Sequence, residues 1–185
     1  MSQFLASGRN WEHVLALVLL LARAGDVGST YLVSPTLRLE SNPVVRRLGW
    51  PFALLTMLVC FVPYYSTALG IVAIVVSLFA AASNLSRGWI ARALGEAEYL
   101  RVLERAAAAG GLRRGIAFVL GSSGAFALAG VVLLVISDGP ETPPFWFAVG
   151  IILHGWAMAI FGCVLMRRLY RQNPRADGGP DVPAT

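Results

Sequence analysis

The sequence contains no lysine and few charged residues of any kind. All 15 basic residues are arginine, and charged residues make up only 14% of the 185-residue chain, whereas soluble domains contain about a quarter. Hydrophobic residues reach 57%, and the mean hydropathy is +0.67. These values exclude an ordinary soluble domain and a disordered chain, and they predict an integral membrane protein.

Cysteine is scarce, and the common catalytic motifs are absent. Cys60 and Cys163 both lie in apolar runs, without the spacing of a disulfide framework or a zinc site, and are predicted to be small core residues. The sequence has no glycine-rich phosphate loop, no His-Glu-x-x-His helix and no Gly-x-Ser-x-Gly elbow in a suitable setting. These absences disfavour an enzyme without excluding one.

The net charge of +5 could indicate a nucleic-acid partner, but the positions of the arginines in the sequence do not support one. A nucleic-acid interface needs a water-facing basic domain, whereas these arginines lie just outside apolar runs. That placement is typical of loops retained in the cytoplasm. We therefore expect membrane lipid and other membrane proteins as partners, or self-association, and no nucleic acid.

The apolar runs predict an all-α transmembrane bundle of five spans, at about 11–34, 48–64, 66–87, 114–136 and 145–166. Each span needs ~20 mostly apolar residues. One helix over 48–87 would be ~60 Å long, twice the thickness of the hydrocarbon. Pro63 and the aromatic and polar residues that follow it predict a turn there, and hence two spans.

The arginines also predict an orientation. Five spans with the N-terminus outside and the C-terminus inside place 13 of the 15 arginines on the inner side. Merging the second and third spans would leave 11 inside and three outside. We therefore expect a multi-pass protein of the cell (inner or plasma) membrane.

The remaining segments are predicted from composition and periodicity. Residues 93–109 predict a cytoplasmic amphipathic helix, which either extends the third span or lies on the membrane, and Gly110-Gly111 ends it. Its charged residues predict a solvated face: Glu96, Glu98, Arg101, Glu104 and Arg105. We expect residues 1–172 to form one bundle and residues 173–185 to form a disordered tail. The first span also resembles a secretory signal, but we expect it to be retained.

The first span contains a polar patch at membrane depth. Arg23, Asp26, Ser29 and Thr30 are spaced to share one face of a helix. One interpretation is a buried ion pair that fixes the packing of the helix. The other is a polar site at the inner membrane half, completed by Glu40, that binds an ion, a proton or a lipid headgroup.

These residues carry a resemblance to a known group of proteins. Asp26-x-x-Ser29-Thr30, followed by Glu40-x-Asn42-Pro43 and an apolar hairpin, resembles a family of small uncharacterised prokaryotic membrane proteins with an Asp-x-x-(Ser/Thr)-Thr and a Glu-x-Asn-Pro pattern. The resemblance covers about the first 90 residues. It implies no activity, but it marks Asp26, Thr30, Glu40, Asn42 and Pro43 as positions to test.

Two further features have a functional and a structural interpretation. His154 in the fifth span could ligate a haem or a chlorophyll-type pigment, but we favour a hydrogen-bonded packing histidine, since His13 lies at a different depth. Small residues at a spacing of four predict close helix packing within the bundle. They are Ala73, Ser77 and Ala81; Gly121, Ala125 and Ala129; and Gly155, Ala159 and Cys163.

Two function classes follow from the sequence. The first is a non-enzymatic subunit or scaffold of a membrane complex, which packs against other membrane proteins, lipid or pigment. The second is a small transporter or intramembrane enzyme with a polar site around Asp26.

Overall fold

A computed structural model of the protein describes residues 11–172, which form helices and short connections without a strand. The elements are α1 (Trp11–Val33), α2 (Pro43–Leu55), the 3₁₀ helix η1 (Thr56–Tyr64), α3 (Thr67–Leu94), α4 (Glu96–Gly110), α5 (Leu112–Ile136) and α6 (Pro143–Gln172). Five segments are long and apolar enough to cross a membrane: α1, α2 with η1, α3, α5 and α6. The predicted helical bundle of five spans is confirmed. The predicted tail, 173–185, lies outside the described residues.

The second span begins at Pro43, five residues before its predicted start. The side chain of Asn42 caps this helix by accepting a hydrogen bond from the Val44 amide at 2.9 Å, and a proline suits the first helical turn. Positive φ at Gly49, two residues before Pro51, kinks the span. The first turns of α2 therefore include Arg46 and Arg47, which the apolar pattern predicts to lie in the loop.

The cytoplasmic helix predicted over 93–109 is a separate element, α4, and not an extension of the third span. Gly95 (φ 80°) separates it from α3, and Gly111 (φ 74°) separates it from α5. Both angles lie in the region that favours glycine. The helices α3 and α6 continue past the predicted 87 and 166, because their terminal arginines lie on helical turns beyond the apolar run.

Within the bundle the five spans are arranged in an open row. In this row α3 and α6 are central: α6 packs most extensively against α5 and also against α3, and α3 packs against α1. The η1 segment lies against α1 and α3. The helix α5 lies at one edge of the row. Because it packs chiefly against α6, most of its apolar surface faces outward.

Small residues allow the close packing of α3, α6 and α5. A Cβ at Gly150 would lie 2.8 Å from Val75 Cβ, and one at Gly155 would lie 2.9 Å from the Ser123 carbonyl oxygen. Two of the three predicted small-residue stripes thus lie at helix contacts. The prediction is wrong for Gly121, Ala125 and Ala129, which are exposed, because α5 turns its opposite face, with Ser123 and Gly130, toward α6.

Contacts between segments distant in the sequence join the helices at both ends of the spans. Arg168 Nη1 near the end of α6 donates to the Arg38 carbonyl oxygen in the first loop at 3.0 Å. We call this end, with the first loop, α4 and the last turns of α6, the arginine-rich end. At the other end His13 Nδ1 lies 2.8 Å from the Tyr64 hydroxyl. Four spans would put the first loop and the end of α6 at opposite ends, so this contact also supports five.

Replacing Gly155 by alanine is expected to destabilise the protein. The added methyl would meet backbone atoms of α5, and such overpacking costs about 1–3 kcal/mol, more than the better helix propensity of alanine returns. Gly121→Ala is the control, since nothing lies within 4 Å of a Cβ there. Thermal unfolding in detergent should show a lower Tm for Gly155→Ala only; equal values would contradict this packing.

Candidate functional site

The predicted polar patch in α1 is centred on an ion pair within the first span. Arg23 Nη1 donates to Asp26 Oδ2, one helical turn further on. Arg23 also crosses to η1, where its Nη2 and Nε lie 2.7 and 3.2 Å from Thr56 Oγ1. Thr56 in turn donates to the Ala53 carbonyl oxygen, which orients its hydroxyl. The guanidinium thereby joins α1 to the second span.

Asn84 supplies the third helix of the site. Its Nδ2 is 2.9 Å from Thr30 Oγ1, 3.3 Å from Ser29 Oγ and 3.5 Å from Asp26 Oδ1. Ser29 Oγ donates its own proton to the Asp26 carbonyl oxygen at 2.9 Å, which leaves its lone pairs free to accept from Asn84. One amide of α3 thus faces three side-chain oxygens of α1.

These contacts define the intramembrane polar cluster, which consists of Arg23, Asp26, Ser29, Thr30, Thr56 and Asn84. Asp26 and Ser29 are buried, but the side chains of Arg23 and Asp26 keep 21% and 13% of their exposure. A lone charge at the centre of a span costs ~2.5–3.5 kcal/mol on insertion scales, and pairing offsets part of that cost. The cluster therefore stabilises the packing of three spans while part of its charge stays accessible.

The structure brings together four of the predicted site residues and adds two that the sequence analysis missed. Asn84 had a signal, because it is the only asparagine within a predicted span, and an amide in hydrocarbon requires a partner. Thr56 had a weaker signal, since threonine is common in spans and often bonds to its own helix. Neither partner was predictable without knowing how the helices face each other.

The other two predicted site residues, Glu40 and Asn42, lie in the first loop and make no hydrogen bond to the cluster. Glu40 Oε1 accepts from the Asn42 amide at 2.7 Å, and Asn42 caps α2. The negative charge of Glu40 is nevertheless close enough to interact with that of Asp26. Glu40 thus belongs to the electrostatic surroundings of the cluster and to the local structure of the loop.

A second polar arrangement, at the arginine-rich end, was not predicted. The carboxylate of Glu96 accepts hydrogen bonds from Ser34 Oγ, from Thr36 Oγ1 at 2.8 Å and amide at 3.3 Å, and from the Arg38 amide at 3.1 Å. The sequence predicts that Glu96 lies on a solvated face with Glu98. Of these two glutamates only Glu98 does so, pairing with the exposed Arg101 and Arg105.

The loop that Glu96 holds has an unusual backbone. Leu37 has φ 59°, a left-handed conformation that costs a residue other than glycine about 1 kcal/mol or more. Its side chain is buried. Trp50 Nε1 donates to the Pro35 carbonyl oxygen at 2.9 Å, and the Leu39 amide donates to Ser34 Oγ at 3.0 Å. These bonds hold the loop in one shape above the cluster.

The hydrogen bonds also set the charge state of Glu96. Its partial burial alone would raise the pKa of this carboxyl, but the donors from Ser34, Thr36 and Arg38 outweigh that effect and hold the pKa below its usual value. Glu96 is therefore ionised at neutral pH, as the acceptor of four hydrogen bonds must be.

His154 is buried in α6 between two phenylalanines. Its ring centroid lies 5.4 Å from that of Phe79 and 5.5 Å from that of Phe126. Its Nε2 is enclosed and has no hydrogen-bond partner within residues 11–172, as is also true of Ser123 Oγ. The packing role fits this environment, whereas the expected hydrogen bond at Nε2 does not form.

Neither a metal site nor a relative identifies the chain. Between residues 11 and 172 no three His, Cys, Asp or Glu side chains are grouped so that they could hold a metal ion. The two cysteines are free thiols in different spans. No protein-family model, curated protein or solved structure matches the chain. The family resemblance of the first 90 residues stays a prediction.

Glu96→Gln is expected to lower the stability of the protein at neutral pH and to make that stability less dependent on pH in the acidic range. The charged Glu96, with its depressed folded pKa, stabilises the loop above its unfolded pKa of about 4.5, and this contribution is lost as the pH falls through the folded value. Thermal unfolding at about pH 7 should give a Tm several degrees lower for the variant, with the difference narrowing toward about pH 3.

The control for this experiment is Glu98→Gln in the same helix. Glu98 pairs only with exposed arginines, and such pairs contribute little to stability. Equal Tm losses for the two variants would show that Glu96 has no special role in holding the first loop.

Proposed function

We propose that this protein is a non-enzymatic subunit of a membrane complex in the cell (inner or plasma) membrane. The observation that carries the proposal is the outward face of α5. Gly121, Ala125 and Ala129 lie there in consecutive turns, exposed, and nothing comes within 4 Å of a Cβ built at Gly121. The occupant we assign to this face is a transmembrane helix of another membrane protein.

The packing inside the chain supports this occupant. Without water, helices in a membrane associate through close van der Waals contact, which small residues permit. The opposite face of α5 packs this way on α6, where a Cβ at Gly130 would lie 3.0 Å from the Ala148 carbonyl oxygen. The outward face offers the same small side chains, flanked by Phe118 and Leu128, which are 81% and 64% exposed.

The position of α5 in the row gives the partner room to dock. Because α5 packs chiefly on α6, a partner helix beside it would continue the row without displacing any span. The polar cluster is consistent with a scaffold, since Arg23, Asp26 and Asn84 find their partners within the chain.

Site-specific photocrosslinking in native membranes tests the proposal. A photoreactive amino acid at Leu128, beside the stripe, should give one discrete adduct, and one at Trp156, exposed on α6, should not. Mass spectrometry identifies the partner. Ala125→Leu should abolish the adduct, because the larger side chain prevents the partner helix from approaching the stripe. Ala82→Leu, at an exposed alanine of α3, should leave the adduct intact.

Three results would overturn the proposal. They are the absence of a discrete adduct at Leu128, an adduct that survives Ala125→Leu, and an adduct formed with a second copy of the chain. The last would assign the face to self-association.

A second candidate function is a small transporter or intramembrane enzyme centred on Asp26. It is favoured by the three oxygens of one turn of α1 that face the Asn84 amide, and by the partial exposure of Arg23 and Asp26. The positions that carry the family resemblance, Asp26 and Thr30 among them, lie in or beside this cluster.

Ion flux into proteoliposomes tests the second candidate. The wild-type protein should carry protons or sodium ions, and Asp26→Asn should abolish the flux while its thermal unfolding shows that the fold is kept. Ser86→Ala is the control, because Ser86 is exposed near the end of α3 and bonds only to its own helix. No wild-type flux, or flux unchanged in Asp26→Asn, rules out transport of these ions through the cluster.

A further inference from the structure

Among residues 11–172, the arginine-rich end holds more positive charge than its own acidic residues neutralise. Four glutamates lie at this end: Glu40, Glu96, Glu98 and Glu104. The described arginines there are Arg38, Arg46, Arg47, Arg87, Arg92, Arg101, Arg105, Arg113, Arg114, Arg167, Arg168 and Arg171. The only ion pairs found among them join Glu98 to Arg101 and Arg105. Most guanidinium groups at this end therefore lack a carboxylate within the described chain.

Some of these guanidinium groups are crowded together. Arg46 of α2 and Arg168 of α6 lie close enough for their positive charges to repel each other, and the negative charge of Glu104 in α4 offsets part of that repulsion at Arg168. Arg168 is oriented by its bond to the Arg38 carbonyl oxygen, so it does not simply turn away. Like charges held near each other favour binding of an anion, which relieves the repulsion.

A shallow concave surface at this end is lined by two further arginines. It lies where α4 meets α5, beside the last turns of α6, and is lined by Gly110, Gly111, Leu112, Arg113, Arg114 and Tyr170. The side chains of Arg113 and Arg114 are exposed, and no carboxylate from residues 11–172 lies within ion-pair distance of either one.

We propose that this concavity binds the phosphate of an anionic phospholipid headgroup. Arginine presents paired donors that match phosphate oxygens, and each basic residue near the surface adds to the attraction of anionic lipid. The proposal goes beyond the assigned function and does not depend on a partner protein.

The location favours a lipid over a free anion. The concavity lies at the first turn of a span, at the depth where headgroup phosphates sit, so the lipid reaches it without leaving the bilayer. The excess of arginine over glutamate at this end selects a headgroup with net negative charge over a zwitterionic one.

Native mass spectrometry of the detergent-purified full chain, mixed with phosphatidylglycerol or phosphatidylcholine, tests the proposal. The wild-type protein should retain phosphatidylglycerol selectively. Arg113→Gln with Arg114→Gln should weaken that retention by about 30-fold, following the usual attraction per basic residue. The matched control, Arg101→Gln with Arg105→Gln, removes two exposed arginines that are already paired with Glu98 and should leave retention unchanged.

The remaining outcomes decide against the proposal. Equal retention of the two lipids, or equal loss in the control variant, would show general surface attraction. Competition by inorganic phosphate at the concentration of the lipid would assign the concavity to a free anion. Thermal unfolding of both variants, and the single variant Arg113→Gln, separates a lost site from a lost fold.

Discussion

The lack of water in the hydrocarbon forces the charged side chains of the first span to find partners within the protein, and much of the structure follows from that constraint. Arg23 and Asp26 must turn away from lipid, which fixes the rotation of α1 about its axis. The apolar side of the same helix, with Leu17 and Leu21, then faces outward. Because Arg23 also needs Thr56, and the oxygens of α1 need Asn84, the second and third spans are drawn to this helix.

The same constraint explains why the two halves of the row pack differently. The first three spans are joined by hydrogen bonds between side chains, which have definite directions. The contacts of α6 with α3 and α5 depend instead on glycines such as Gly150 and Gly155, which bring backbones close together. Polar contacts thus fix one half of the row, and shape fixes the other.

Much of the fold was predictable because a bilayer requires apolar runs of a known length. The ends of the spans were less predictable, since Arg46 or Arg92 belongs equally well to a loop or to a helical turn at the interface. In the candidate site, the sequence predicted the residues that share one helix, as spacing alone places Asp26 beside Arg23. Periodicity does not show which face of α5 meets α6, so the stripe at Gly121 was assigned to the wrong side.

Several contacts of the first loop can form only after later parts of the chain have been made. Ser34 and Thr36 form hydrogen bonds with Glu96, which lies some sixty residues later in the chain. The Arg38 carbonyl oxygen accepts a hydrogen bond from Arg168 only when the last span is in place. During synthesis the loop can therefore bond to Glu96 only after the third span has been made, and to Arg168 only after the fifth. The bond from Arg168 forms only when the N-terminal and C-terminal parts of the chain are in contact. The complete set of loop contacts therefore distinguishes a fully inserted molecule from a partly inserted one.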